Sequence, residues 1–173
     1  MDERRRARSL IISAVGDRAV QLRGLLDERL SKLMDTLQPL TAIQWSTMCP
    51  GEGWPVGYVA HHVAQGVVRP EGWITQVLAG DDPFEFDWDV THELNARRSR
   101  RLGLPPRDET LRFLRMTGSH FSELVGSLSD AQLDLIAFAQ EPSIRRSIEW
   151  VGKLVARHVD EHHYGIRAAL TSP

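Results

Sequence analysis

The sequence predicts an all-α protein built on a bundle of four main helices. Two observations predict it. Apolar residues recur at spacings of three and four in four segments, each long enough to span a domain. No segment alternates apolar and polar residues over a useful length, as a half-solvated strand does.

The first segment runs roughly from Arg6 to Leu37. Its stripe is Ile11, Val15, Ala19, Leu22, Leu26, Leu30, Leu33 and Leu37. Gly16 marks a possible break that would leave a short leading helix. Gln38 to Trp54, punctuated by Pro39, Pro50, Gly51 and Gly53, reads as a connection. It is long for a compact domain, and long connections are often functional. Pro55 suits the first turn of the second helix, where its missing N–H costs nothing. Val56, Val59, Ala60, Val63 and Val67 form its stripe, and Pro70 is expected to end or kink it.

Gly80 to Asp89, acidic and aromatic, reads as a loop. Val90 to Leu102 reads as partly helical and Arg-rich, closed by Pro105 and Pro106. Asp108 is the expected cap of the third main helix, with Leu111, Leu114, Phe121, Leu124 and Leu128 as its stripe. Ser129 and Asp130 open a short helical piece through Leu135. Pro142 and Ser143 are expected to open the last helix, with Ile144, Ile148, Val151, Val155, His158, His162 and Ile166 in register.

The 173 residues suit one domain, residues 1–173. A net charge of −2 gives no basic face for nucleic acid. No stretch approaches the roughly 20 apolar residues of a membrane span. The arginines Arg4, Arg5, Arg6 and Arg8 before Leu10, Ile11 and Ile12 superficially resemble a secretion signal. Asp17 and Arg18 follow too soon, and the segment reads as a charged helix start. A single cysteine, Cys49, excludes an internal disulfide and fits a cytoplasmic protein.

The chemistry is in the last helix. Its apolar stripe continues through His158 and His162, four apart and therefore on one face. Such a pair is either hydrogen-bonded in the core or able to share a metal ion. His62 follows Val59 by three and precedes Gly66 by four, so it shares their face of the second helix. Gly66 would leave open space one turn away. His61 turns to the flank, and His163 is rotated by about 100° from His162. Three protein ligands leave a position for water or substrate, as in catalytic metal sites.

Cys49-Pro50-Gly51-Glu52-Gly53-Trp54-Pro55-Val56-Gly57-Tyr58-Val59-Ala60-His61-His62-Val63 resembles the signature of the DinB-like superfamily. There a Gly-Trp pair precedes a helix whose metal-binding His lies eight residues after the Trp, which is His62 here. His158-Val159-Asp160-Glu161-His162, followed by Ile166, resembles the C-terminal His-x-x-x-His of the same superfamily. The segment around Asn95 and Ala96 is also similar, and the resemblance spans roughly Leu10 to Leu170. It implies an up-down-down-up four-helix bundle, usually a homodimer. It also implies one divalent metal ion, zinc or nickel, on His62, His158 and His162. Members include S-transferases that use bacillithiol or mycothiol, a mycothiol-dependent maleylpyruvate isomerase, and metal-dependent hydrolases. The isomerase group carries Glu where this chain has His158, and Pro55 replaces the usual Ser or Thr.

Three further residues are weak catalytic candidates. Glu161 could be a base or orient a ligand, but helix geometry turns it about 100° from His162. His92 and Asn95 could line the open coordination position. Arg97, Arg98, Arg100 and Arg101 are either a solvated face or an attraction for an anionic cosubstrate. Cys49 reads as a small buried residue with a reactive thiol as the alternative. Trp54 reads as packing or as a wall of the site, and His120 as structural. The expected function is thiol-dependent S-transfer to a small electrophile, with a low-molecular-weight thiol as cosubstrate. The alternatives are metal-dependent hydrolysis and a non-catalytic metal- or ligand-binding dimer.

Overall fold

The computed structural model describes residues 14–140 and 143–171. The expected leading helix and charged start, with Ile11 and Arg4 to Ile12, lie outside these residues. So does Pro142.

Four long helices dominate: α1 (Asp17–Leu37), α3 (Val56–Ala79), α5 (Arg107–Gly126) and α7 (Ile148–Thr171). Between them lie α2 (Ala42–Ser46), α4 (Trp88–Leu102) and α6 (Asp130–Leu133). The strands are short: β1 (Met48–Cys49), β2 (Trp54–Pro55), β3 (Phe84–Glu85), β4 (Ile136–Gln140) and β5 (Ile144–Ser147). No helix among the described residues is long and apolar enough to cross a membrane.

Cross-helix pairs fix the directions. Arg18 meets Glu149, Arg29 meets Asp160 and Thr36 meets His163, so α1 and α7 run parallel. Ser122 donates to Asp27, and Gly118 lies against Leu30, so α5 runs antiparallel to α1. Glu52, just before α3, lies against Gly165 late in α7, whereas Gly66 lies against His158, so α3 is antiparallel to α7. The result is up-down-down-up. The core has one cluster around Leu26, Phe121, Ile148 and Val155 and another around Leu33, Val59, Leu114 and Ile166.

Several expectations are corrected. Pro70 neither ends nor splits its helix: α3 runs for 24 residues and stops only at Gly80, a left-handed cap with φ 97°. One missing ladder bond is offset by the burial of Val67, Trp73 and Ile74 around it. Asp108 is no cap. It sits in the first turn of α5 after Pro106, where an acid still complements the helix dipole. Val15 is exposed and precedes α1, because the helix starts just after Gly16.

The largest correction is at residues 136–147. Ser143 does not open a helix, and Ile144 belongs to β5. Strand β4 pairs antiparallel with β5 and parallel with β3, which lies inside the expected loop. Short apolar runs such as Ile-Ala-Phe-Ala cannot be assigned by periodicity, and Ile144 with Ile148 mimics a helical step. The small sheet closes one end of the bundle with Phe84 and Phe138 packed on Trp73.

The connection before α3 is ordered. Thr41 and Gln44 form a reciprocal capping box for α2. Gly53, at φ 68°, turns β1 back onto β2. This tight turn carries Glu52 to the bundle wall.

Candidate metal centre

His62 projects from α3, and His158 and His162 project from successive turns of α7. Ring centroids are 5.1 Å apart for His62 and His158, 4.9 Å for His62 and His162, and 4.4 Å for His158 and His162. One ring nitrogen from each lies within 4.8 Å of the others. The cluster sits where the two core clusters meet, between Val155, Val159 and Val63.

Burial disfavours charge on the His62 and His158 rings. It pushes the pKa of His62 down to about 3, with smaller contributions from His162, His61 and Arg98. It also holds His158 well below the ordinary histidine range, reinforced by His162 and His62. Neutral imidazoles are the form that binds metal. His158 Nε2 is buried with no hydrogen-bond partner among the described residues. An orphaned buried nitrogen is costly unless something fills its lone pair. His162 Nδ1 lies 3.0 Å from Glu52 Oε1. The carboxylate accepts the Nδ1 proton, which leaves the Nε2 lone pair free for a ligand. Each of these features fits a divalent ion.

Gly66 does not leave open space. A Cβ there would lie under 3.0 Å from His158 Nε2, so the absent side chain makes room for the ligand ring itself. Trp54 packs on His62 at 5.3 Å and on Tyr58 at 4.9 Å, forming a wall. His61 faces the flank, with Gln65 at 3.0 Å and the Phe113 ring at 5.4 Å. His163 bonds Thr36 at 2.8 Å, and His120 is exposed.

The trihistidine cluster opens into a cavity of about 590 Å³. Its floor is the α3–α7 seam, and Thr91, His92, Asn95 and Arg98 of α4 border it from above. Helix α4 has no buried residue, so it contributes a polar face and little core.

The sequence profile of the DinB superfamily matches residues 25–166. The chain belongs to the DinB superfamily. Its fold is similar to that of YfiT from Bacillus subtilis, described as a probable metal-dependent hydrolase with an unusual four-helix bundle topology. The two share 19% identity over 87% of this chain and 85% of that one, with a TM-score of 0.68. No curated protein matches the chain significantly.

Of the weaker candidates, His92 and Asn95 do border the cavity of this DinB-superfamily chain, His92 stacked on Trp88. Glu161 is at the rim, two-thirds exposed and 3.6 Å from Arg157. Of the four arginines in α4, only Arg98 reaches the cavity. Arg97 pairs with Glu93 at 2.6 Å, and Arg100 and Arg101 are exposed in the last turn. Cys49 is buried outside the cavity, and desolvation raises its pKa to about 11.

Sequence reasoning missed the role of Glu52. The available signal was an acid between two glycines in a tight turn directly before the ligand helix. It also missed Arg69, which lies seven residues after His62 and therefore on the same face of α3.

Proposed function

We propose that this DinB-superfamily protein is a metal-dependent S-transferase in which His62, His158 and His162 hold a divalent zinc or nickel ion. A low-molecular-weight thiol of the mycothiol or bacillithiol type would be the cosubstrate. A divalent ion on three imidazoles supplies acidification of a thiol or water at its remaining position. The cavity supports the reading: about 590 Å³ beside the three histidines, room for a thiol and a small electrophile together. Cys49 lies outside it, and the cavity lining contains no Cys, Lys or Ser among the described residues. On this reading the attacking atom comes from a bound molecule.

The protein's part is to orient and to exclude water. Glu52 holds the His162 tautomer. Trp54 shields His62. Glu52 Oε2, buried and without a partner, can take the proton released by the thiol. The sulfur then forms a bond to the electrophilic carbon, and the leaving group departs with the bonding electron pair.

Hydrolysis is the second reading, and Glu52 favours it more than the sequence did. The same free Oε2 is a candidate base for water.

The test begins with elemental mass spectrometry on full-length protein made without a His tag, beside His62→Ala and His158→Ala. About one ion per parent chain, lost in both variants, is expected. The loaded protein is then given 1-chloro-2,4-dinitrobenzene with bacillithiol or mycothiol, and separately p-nitrophenyl acetate without thiol. Thiol-dependent chloride release supports transfer. Ester cleavage alone favours hydrolysis. A parent that takes up neither zinc nor nickel overturns both.

A further inference from the structure

The charges lining the cavity do not balance. Glu52 is engaged by His162, and Glu161 lies against Arg157 at the rim. Arg69 and Arg98 also line the cavity, one from α3 and one from α4, and neither has an ion-pair or hydrogen-bond partner among the described residues. Other arginines of this chain are paired: Arg18, Arg23, Arg29, Arg97 and Arg157 each meet a carboxylate. Two unpaired guanidinium groups lining one cavity repel each other, and Arg69 is partly buried as well. Burial and the Arg98 charge both lower the pKa of Arg69, and the Arg98 charge is felt at His62 and Tyr58. Arg98 lines the same cavity as the other arginine and the histidine cluster. An anion placed between the guanidinium groups would relieve the repulsion and satisfy forked donors suited to two-oxygen acceptors.

Helix geometry sets the distance. His62, Gly66 and Arg69 lie on one face of α3, and seven residues advance about 10 Å along the axis. Trp73, Phe86 and Trp88 border the same end of the cavity, an apolar surface for the body of a ligand.

We propose that Arg69 and Arg98 form an anion-recognition subsite, so that one reactant is a small organic anion, a carboxylate or phosphate ester. Its charged end lies about two helical turns from the trihistidine cluster. The inference rests on the reading of that cluster as the reacting centre.

The test uses three probes of one shape: benzoate, phenyl phosphate and neutral benzamide. Binding to full-length protein is followed by tryptophan fluorescence, since Trp54, Trp73 and Trp88 border the cavity. Zinc-loaded and chelator-treated samples are compared, so that coordination to metal is separated from binding to arginine. At least one anion should bind about tenfold or more tighter than benzamide in both samples. The tighter anion then identifies the class. Arg69→Gln/Arg98→Gln should lose the preference while keeping the parent's metal stoichiometry. Arg98→Gln alone, at an exposed position that cannot threaten folding, should lose most of it. Arg101→Gln, off the cavity, should keep it. Equal binding of the three probes, or an unchanged preference in the double variant, overturns the subsite. A parent that takes up neither zinc nor nickel yet still prefers the anion would instead sink the metal reading and leave the subsite standing.

Discussion

Glu52 Oε1 lies 3.0 Å from Nδ1 of His162, although the two residues are 110 positions apart. The acid comes from a tight turn, the imidazole from the last helix, and both side chains are less than one-fifth exposed. Carboxylate–imidazole pairs of this kind set ring orientation and tautomer at metal centres. Glu52→Ala should therefore keep the fold and weaken zinc binding roughly 10–100-fold. Competition with a chromogenic chelator measures it. Unchanged affinity would make Glu52 a bystander.

Gly66 gives a test in which two effects have opposite sign. Alanine is favoured over glycine in a helix by about 1 kcal/mol. At this position its methyl would press on the His158 ring. If the ring cannot yield, overpacking costs about 1–3 kcal/mol and displaces a ligand. Gly66→Ala should lower zinc affinity about tenfold or more while the melting temperature of the metal-free protein changes little. Full retention of zinc affinity would show that the ring can move freely.

The pH dependence follows from the buried rings. In the folded chain His62 titrates near 3 and His158 is also depressed. In the unfolded chain both titrate near 6.5. Between these values the unfolded state binds protons that the folded state does not, so stability rises with pH. It is lost as pH falls from about 6.5 toward 3, by roughly 1 kcal/mol per pH unit for His62, and His158 acts in the same direction. Urea unfolding of metal-free protein at pH 7 and pH 5 should show it. His62→Ala should flatten the slope, and an equal slope in that variant would refute the assignment to His62.

Cys49 should be inert in the folded protein. Its thiol is buried, and desolvation keeps it protonated at neutral pH. A disulfide reagent such as Ellman's should label it slowly under native conditions and at once in urea. Fast native labelling would return Cys49 to the list of nucleophiles.

The three histidines were legible because each obeys a local rule. His158 and His162 continue a stripe set by Val151 and Val155, and His62 shares a face with Val59 and Gly66. Helix periodicity converts such spacing directly into orientation. The hairpin of β4 and β5 was not legible, because Ile144 and Ile148 satisfy a helical step equally well. Pairing decides for strands: Ile144 lies opposite Gln140, and Phe138 also pairs with Phe84, far away in sequence.

By itself, then, the sequence determined the helices, the faces they bury and the ring-bearing positions, all properties of neighbours within a few residues. The tertiary structure alone decided that Glu52 meets His162, that Gly66 houses His158, and that Arg69 and Arg98 share one cavity. Those relations join side chains from separate elements. Their distances depend on how helices pack and on where a turn lands, which no local spacing encodes.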